Sequence, residues 1–489
     1  MRSGLRWPRL AVALAATAAV VGSLGWFWYD SLVPGTYSVV DMGYPDFGGG
    51  PQHVHDPVHS ISVPDLTGDT GGVPDVMATL IARREAFDLA SGERITGFTL
   101  NHQSPGPLLR ARQDDLVQVT LVNESVPDGI TLHWHGVDVP NAADGVAGVT
   151  QDAVPLGGQF VYRFRTHDAG TYWYHSHQVS HVQVRDGLFG VLVVDPAVST
   201  LETAEAIVPV HTYDGQRTAA GGTGLRRFNT ATGATVRARI INTDDSPVTI
   251  TVSGAPYRVV AHDGRDINDP PSVSAASIVL AGGGRVDVSL TVPDGAAAAR
   301  LDFGGGAVLA IGPSTAVVGP MAAARRVVDF LSYGSPSPIG FDPSQAERRF
   351  DYRIGRRPGF IDGVPGVWWS INGHLFPDLP MFTVIKGDVV VFTIANQSGQ
   401  VHPMHLHGHH VVVLQRNGMS ATGSPWWTDS LDVENGATYV VAFVADNPGI
   451  WMDHCHNLPH AEQGLVAHLH YAGVMSPFMI GGSARNAPE

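Results

Sequence analysis

The sequence predicts an all-β chain, three consecutive antiparallel β-sandwich domains behind an N-terminal hydrophobic helix. Three observations predict it. The 489 residues include 57 glycines and 34 prolines, a composition of many short strands and turns rather than long helices. Segments near the two ends of the chain repeat one another. The stretch between them alternates apolar and polar residues with the period of two that half-buried strands need.

The helix comes first. Arg2, Arg6 and Arg9 flank an uncharged stretch from Leu10 to Tyr29 that ends in Trp26, Phe27, Trp28 and Tyr29. About 20 apolar residues are enough to cross a bilayer. The arginines would stay cytoplasmic and the aromatic end reads as an interfacial belt. Residues 1–34 are therefore expected to be an uncleaved membrane anchor, with removal as a signal segment the alternative. Either way the rest of the chain is exported. Residues 35–83 lack a sustained apolar period and read as a stalk; its His53, His55 and His59 stay unassigned.

The repeat comes next. "LNHQSPGPLLRARQDDLVQVTLVN" (100–123) matches "INGHLFPDLPMFTVIKGDVVVFTIAN" (371–396), each with an acidic residue (Asp115, Asp388) eight positions before an asparagine (Asn123, Asn396). Each copy leads to a His-x-His, His133-Trp134-His135 and His405-Leu406-His407. Further on, "DAGTYWYHSH" (168–177) aligns with "NPGIWMDHCH" (447–456). Two similar domains are expected at 84–197 and 319–489. Between them, "ATVRARIINTDDSPVTITVSG" and "SIVLAGGGRVDVSLTV" read as strands of a third domain at 198–318 with no His-x-His. Breaks rich in turn-forming residues near 196–203 and 313–322 set those boundaries.

The formal net charge of −15 excludes a nucleic-acid partner, which needs a basic stripe. A single cysteine, Cys455, excludes an internal disulfide, although exported chains usually carry them. The lone thiol needs another task, and it sits between two histidines. On a strand, residues i and i+2 share a face while i+1 points away. His454 and His456 thus address one site and Cys455 another. Four His-x-His pairs at matching positions supply imidazoles that converge if the end domains pack together. His468-Leu469-His470 has the spacing without the repeat context and is left as structural. Imidazole alone suits copper, zinc, iron or nickel. His402, Cys455 and His460, however, compose the trigonal set of a blue copper site, whereas zinc would need a fourth ligand that the pattern does not offer.

These motifs resemble the multicopper oxidases, a family that includes laccases. The likeness runs over about residues 85–475 through "HWHG" (133–136), "GTYWYHSH" (170–177), "HPMHLHGH" (402–409) and "HCHNLPHAEQGL" (454–465). It implies cupredoxin-like Greek-key domains and four copper ions. Type 2 copper would take His133 and His405; the type 3 pair, His135, His175, His177, His407, His454 and His456; type 1, His402, Cys455 and His460. Leu465 falls at the axial position of type 1, where a side chain that cannot coordinate implies a higher reduction potential. Asp144 matches a family carboxylate near type 2 copper. Reducing dioxygen there needs protons delivered to a buried site, and a second acid, placed directly after the type 1 histidine in many relatives, is replaced here by Ala461, which leaves Glu462, one position on, as the candidate second proton donor.

The resemblance implies one-electron oxidation of phenols or aromatic amines coupled to reduction of dioxygen to water. A metallo-oxidase for Cu(I), Fe(II) or Mn(II) is the second reading; the methionines are scattered, which counts against Cu(I). A non-catalytic copper-binding or scaffold protein is the third, and it would be expected to have lost ligands. Trp426 and Trp427 either border the donor cleft or pack in the core. Dioxygen, a small reductant and the membrane are the expected partners.

Overall fold

The computed structural model describes residues 6–52, 60–198, 204–321 and 323–489; His53, His55 and His59 lie outside them. Three pairs of sheets stack along the chain. The first unit joins a sheet of Val76–Asp88, Arg94–Leu100, Leu116–Asn123 and Gln159–Arg165 to one of Gly106–Arg112, His133–His135, Gly170–His175 and Phe189–Asp195. Inner residues of both, such as Leu80, Val119, Trp134 and Leu192, share one buried cluster. The middle unit has two six-stranded sheets, and the last unit sheets of six and seven strands, each pair around its own core.

The register shows the repeat that the sequence shows only at the ends. Most neighbours are antiparallel, but in every unit an early strand returns parallel beside a later one. Val76–Asp88 pairs so with Leu116–Asn123, Ala204–Tyr213 with Thr235–Asn242, and Arg348–Ile361 with Val389–Asn396. Such pairings need long connections, as in Greek keys. The recurring asparagine has a physical task. Asn123, Asn242 and Asn396 end equivalent strands, fully buried, and their side-chain amides donate to loop carbonyls: Val126 and Val154; Ser246, Leu280 and Ala281; Gln400 and Val433. Those bonds satisfy carbonyls where the ladder ends.

The stretch read as a stalk is strapped onto the body. Tyr44–Asp46 joins the last unit's sheet beside Pro380–Val384, Ile61–Ser62 pairs with Val474–Met475, and Val39 and Val63 are buried in that unit's core. Isolated apolar residues without a period hold it there, which is why no pattern announced it. Strand Val76–Asp88 likewise starts before residue 84. At the N-terminus, Arg6–Asp30 is one helix, and within it Trp7–Asp30 is long and apolar enough to cross a membrane, with none of its span buried against the body.

Candidate metal centre

Eight histidines meet where the first and last units touch. His133 and His135 both lie on a strand. In the other pairs the strand ends at the first histidine or one residue beyond it, as in Gly170–His175, His402–Leu406 and Ile450–Cys455, so His177, His407 and His456 project from the following turn. All eight are essentially inaccessible to solvent. They sort into two trios, His135/His175/His456 and His177/His407/His454, and a pair, His133/His405, with ligand atoms in each trio within 4.8 Å of one another.

Two features fit these groups to metal ions. First, His135 Nδ1, His175 Nε2, His177 Nδ1 and both ring nitrogens of His456 are buried without a hydrogen-bond partner, a costly state for a polar atom unless an ion takes it up. Second, lone pairs are made to face each other. His133 Nδ1 is 3.0 Å from Asp144 Oδ1, and His405 Nδ1 is 2.8 Å from the Asp429 carbonyl. Both acceptors place the proton on Nδ1, so the two Nε2 atoms, 3.3 Å apart, confront one another with lone pairs, and a cation between them resolves the repulsion. His407 Nδ1 likewise faces the Asp144 carboxylate, and its Nε2 is 3.3 Å from His454 Nε2. Burial, reinforced by neighbouring imidazoles, holds His135, His175, His177, His405, His407 and His456 well below the ordinary histidine range. Neutral imidazole is the form that binds metal.

Cys455 points the other way. Its Sγ lies 3.5 Å from His402 Nδ1 and 3.6 Å from His460 Nδ1, and those nitrogens are 3.2 Å apart. The centre of such a triangle is about 2.0 Å from each corner, near the length of a metal–imidazole bond. Ser398 Oγ, 2.7 Å from His402 Nε2, fixes that ring. Burial pushes the Cys455 thiol well up, so its deprotonation there needs a cation. Leu465 is fully buried, and its backbone bonds both Cys455 and His460. Trp369 covers the triangle, with its ring centroid 4.4 Å from that of His460 and the Arg356 guanidinium 4.6 Å from its own.

The carboxylates divide. Asp144, fully buried and shifted upward by that burial, bridges His133 and His407. Glu462 is exposed on helix Leu458–Glu462 and, among the described residues, belongs to none of the candidate metal groups. Trp426 and Trp427 lie on a strand paired with Val411–Arg416, and Trp426 packs on Phe330, His262 and Tyr439. Among the described residues, His468 and His470 join no metal group.

Sequence reasoning missed the support that comes from the middle unit. Asp429 Oδ1 is 3.2 Å from His135 Nε2, and Ser430 Oγ is 2.9 Å from it. Arg285 clamps Asp429 with two bonds of 2.5 Å. Burial opposes ionisation of Asp429, but Arg285 and the bonds from His135 and His410 outweigh it and hold the carboxyl well below its usual range. Gly283, at φ +81°, closes the cage: a Cβ there would sit 2.8 Å from His135 and 2.9 Å from His456, while its carbonyl accepts from Trp173 Nε1. An arginine at an inward position of an alternating strand, in "GGGRVDV", was the available signal.

Sandwich units that enclose a histidine cage beside a His–Cys–His triangle define a class, the redox proteins that hold several copper ions. Family models described as multicopper oxidase match residues 82–199 and 343–472. Laccase-1 of Botryotinia fuckeliana is 28% identical, over 77% of this chain and 79% of its own. The multicopper oxidase MmcO of Mycobacterium tuberculosis is 27% identical, over 81% and 87%. A crystal structure of a multi-copper oxidase from Pseudomonas thermotolerans superposes with TM-score 0.67 at 29% identity, over 82% of this chain and all of that one. The chain belongs to the multicopper oxidase family, oxidoreductases that bind type 1, type 2 and type 3 copper and use dioxygen.

Proposed function

We propose that this oxidase draws electrons singly from phenols or aromatic amines at the Cys455 triangle and reduces dioxygen to two waters in the histidine cage. His402, Cys455 and His460 would hold type 1 copper, His133 and His405 type 2, and the two trios the type 3 pair. Copper bound there supplies one-electron acceptance at the sulfur and four-electron delivery to dioxygen. The chain does the rest. Cys455 and its flanking histidines join the two sites through one short stretch of backbone. Asp144 orients His133 and His407, and Asp429 orients His135 and His405. Gly283 and Trp173 help to wall the cage from solvent. Four phenols each give one electron and one proton, which balances one dioxygen becoming two waters. The N-terminal helix anchors the exported body.

The observation that carries the donor assignment is Arg356. Its guanidinium lies 4.6 Å from the centroid of Trp369, the ring that covers the triangle, and a cation placed there disfavours the approach of Fe(II), Mn(II) and Cu(I) while accommodating neutral or anionic phenols. Oxygen uptake measured side by side with a phenol, Fe(II), Mn(II) and Cu(I) tests this. The phenol is expected to give the highest kcat/KM; a metal ion ahead of it overturns the assignment.

A further inference from the structure

The hairpin that roofs the Cys455 triangle also grips the end of the N-terminal helix. Its strands are Arg348–Ile361 and Val364–Ile371, and Arg356 and Trp369, paired across it, cover the triangle. At its tip, about 20 Å along the strand from Arg356, the Asp362 backbone N–H donates to the Ser31 carbonyl at 2.9 Å and the Gly363 N–H to Ser31 Oγ at 3.2 Å, while Val33 N–H donates to Asp362 Oδ1 at 3.2 Å. Gly363, at φ +73°, lies so close to Trp28 that a Cβ would be 2.8 Å from its Nε1. The helix end is thus bonded to the element that covers the electron entry.

Between them lies a cavity of about 620 Å³, lined by apolar residues, among them Leu24, Phe27, Phe360 and Phe376, and by the charged Asp30, Arg357 and Asp378. Phe376 abuts Gly464, where a Cβ would be 2.8 Å from its own Cβ, and Gly464 adjoins Leu465. The Phe376 side chain therefore stands between the cavity and the loop that carries the triangle. The helix wall of the cavity extends into the apolar stretch, since Leu24 lies about 7.5 Å below Tyr29 along the axis. Around it Phe27, Trp28, Leu32, Val364 and Val367 are exposed, large apolar side chains of the kind that contact lipid or a partner.

We propose that this cavity is an entrance at the membrane surface and that the reductant it admits is a hydroquinone dissolved in the lipid. The proposal rests on the reading of the triangle as the electron entry and of the helix as an anchor, and it narrows the donor class. Two hydroquinones each lose two electrons and two protons and leave as quinones. The four electrons and four protons convert one dioxygen to two waters.

The test uses the full chain, copper-loaded, in phospholipid nanodiscs. Oxygen uptake is compared for a decyl-substituted hydroquinone and the methyl-substituted one with the same ring. The double variant Val364→Asp/Val367→Asp is expected to lower the decyl-to-methyl rate ratio about ten-fold, because it places charge where the chain-bearing donor enters from lipid; retention of the blue colour checks its fold. Separately, because Cys455 is buried and is the only cysteine, an environment-sensitive dye attached at Val367→Cys can be compared with one at Val317→Cys, which is exposed on the middle unit. Nitroxide-labelled lipid is expected to quench the first and spare the second. An unchanged rate ratio, or equal quenching at the two positions, overturns the proposal. No oxygen uptake with either hydroquinone instead brings down the reading of the triangle as a phenol entry, and this inference with it.

Discussion

Replacing Arg285 by methionine keeps most of the stem and deletes the charge that holds Asp429. Both side chains are shut off from solvent, at 0% and 1% exposure. At an effective dielectric constant of about 20, unit charges about 4 Å apart attract by about 4 kcal/mol. Removing one partner of a buried pair costs about 3–5 kcal/mol, because the other charge is left unpaired. Urea unfolding of the metal-free protein measures that loss without the contribution of bound copper. A freed Asp429 carboxylate also stops fixing His135, and copper retention against a chelator should fall about 10–100-fold. Arg348→Met is the control. It breaks another buried pair, Arg348 Nε to Asp388 at 2.6 Å, and should destabilise the protein while leaving retention in the cage intact. Wild-type retention in Arg285→Met, or equal copper loss in the control, would refute the reasoning.

Two simpler substitutions separate the sites. Cys455→Ser removes the thiolate whose charge transfer to copper colours the protein, so the visible band should vanish; a variant that stays blue places the type 1 site elsewhere. His135→Ala should keep the colour and reduce oxygen uptake to background, and full uptake in a blue variant would dissociate His135 from oxygen reduction.

The histidines of the cage were legible because strand spacing is local information, and because the two ends of the chain spell the same motif. Cys455 was legible because its neighbours share a face that it does not. What surrounds these residues was not. Asp429 reads as part of a turn in "PWWTDS", and Arg285 lies 144 residues from it; only the packing of the middle unit against the last brings them together. The strapped segment escaped notice for a different reason: its strands at Thr36–Tyr37 and Tyr44–Asp46 are too short to carry a period. The same absence of pattern hid the docking of the hairpin tip on the helix, which depends on the backbone of Ser31, Asp362 and Gly363.

The middle unit repeats the strand order and the buried asparagine of its neighbours, yet among the described residues it adds none to the candidate metal groups. Its place in the chain follows from what it supplies instead. Gly283 closes the cage at a distance no other residue could tolerate, and Arg285 charges the far side of the carboxylate that orients His135. Arg239 extends the same joint: it bonds Asp287 at 2.9 Å and Thr171 Oγ1 at 2.8 Å, tying the middle unit to the strand that carries His175. Two flanking units meeting directly would leave the orphaned nitrogens of His135 and His456 open to water. A wedge of ordinary sandwich therefore shapes and covers a histidine cage to which, among the described residues, it adds no member of a candidate metal group.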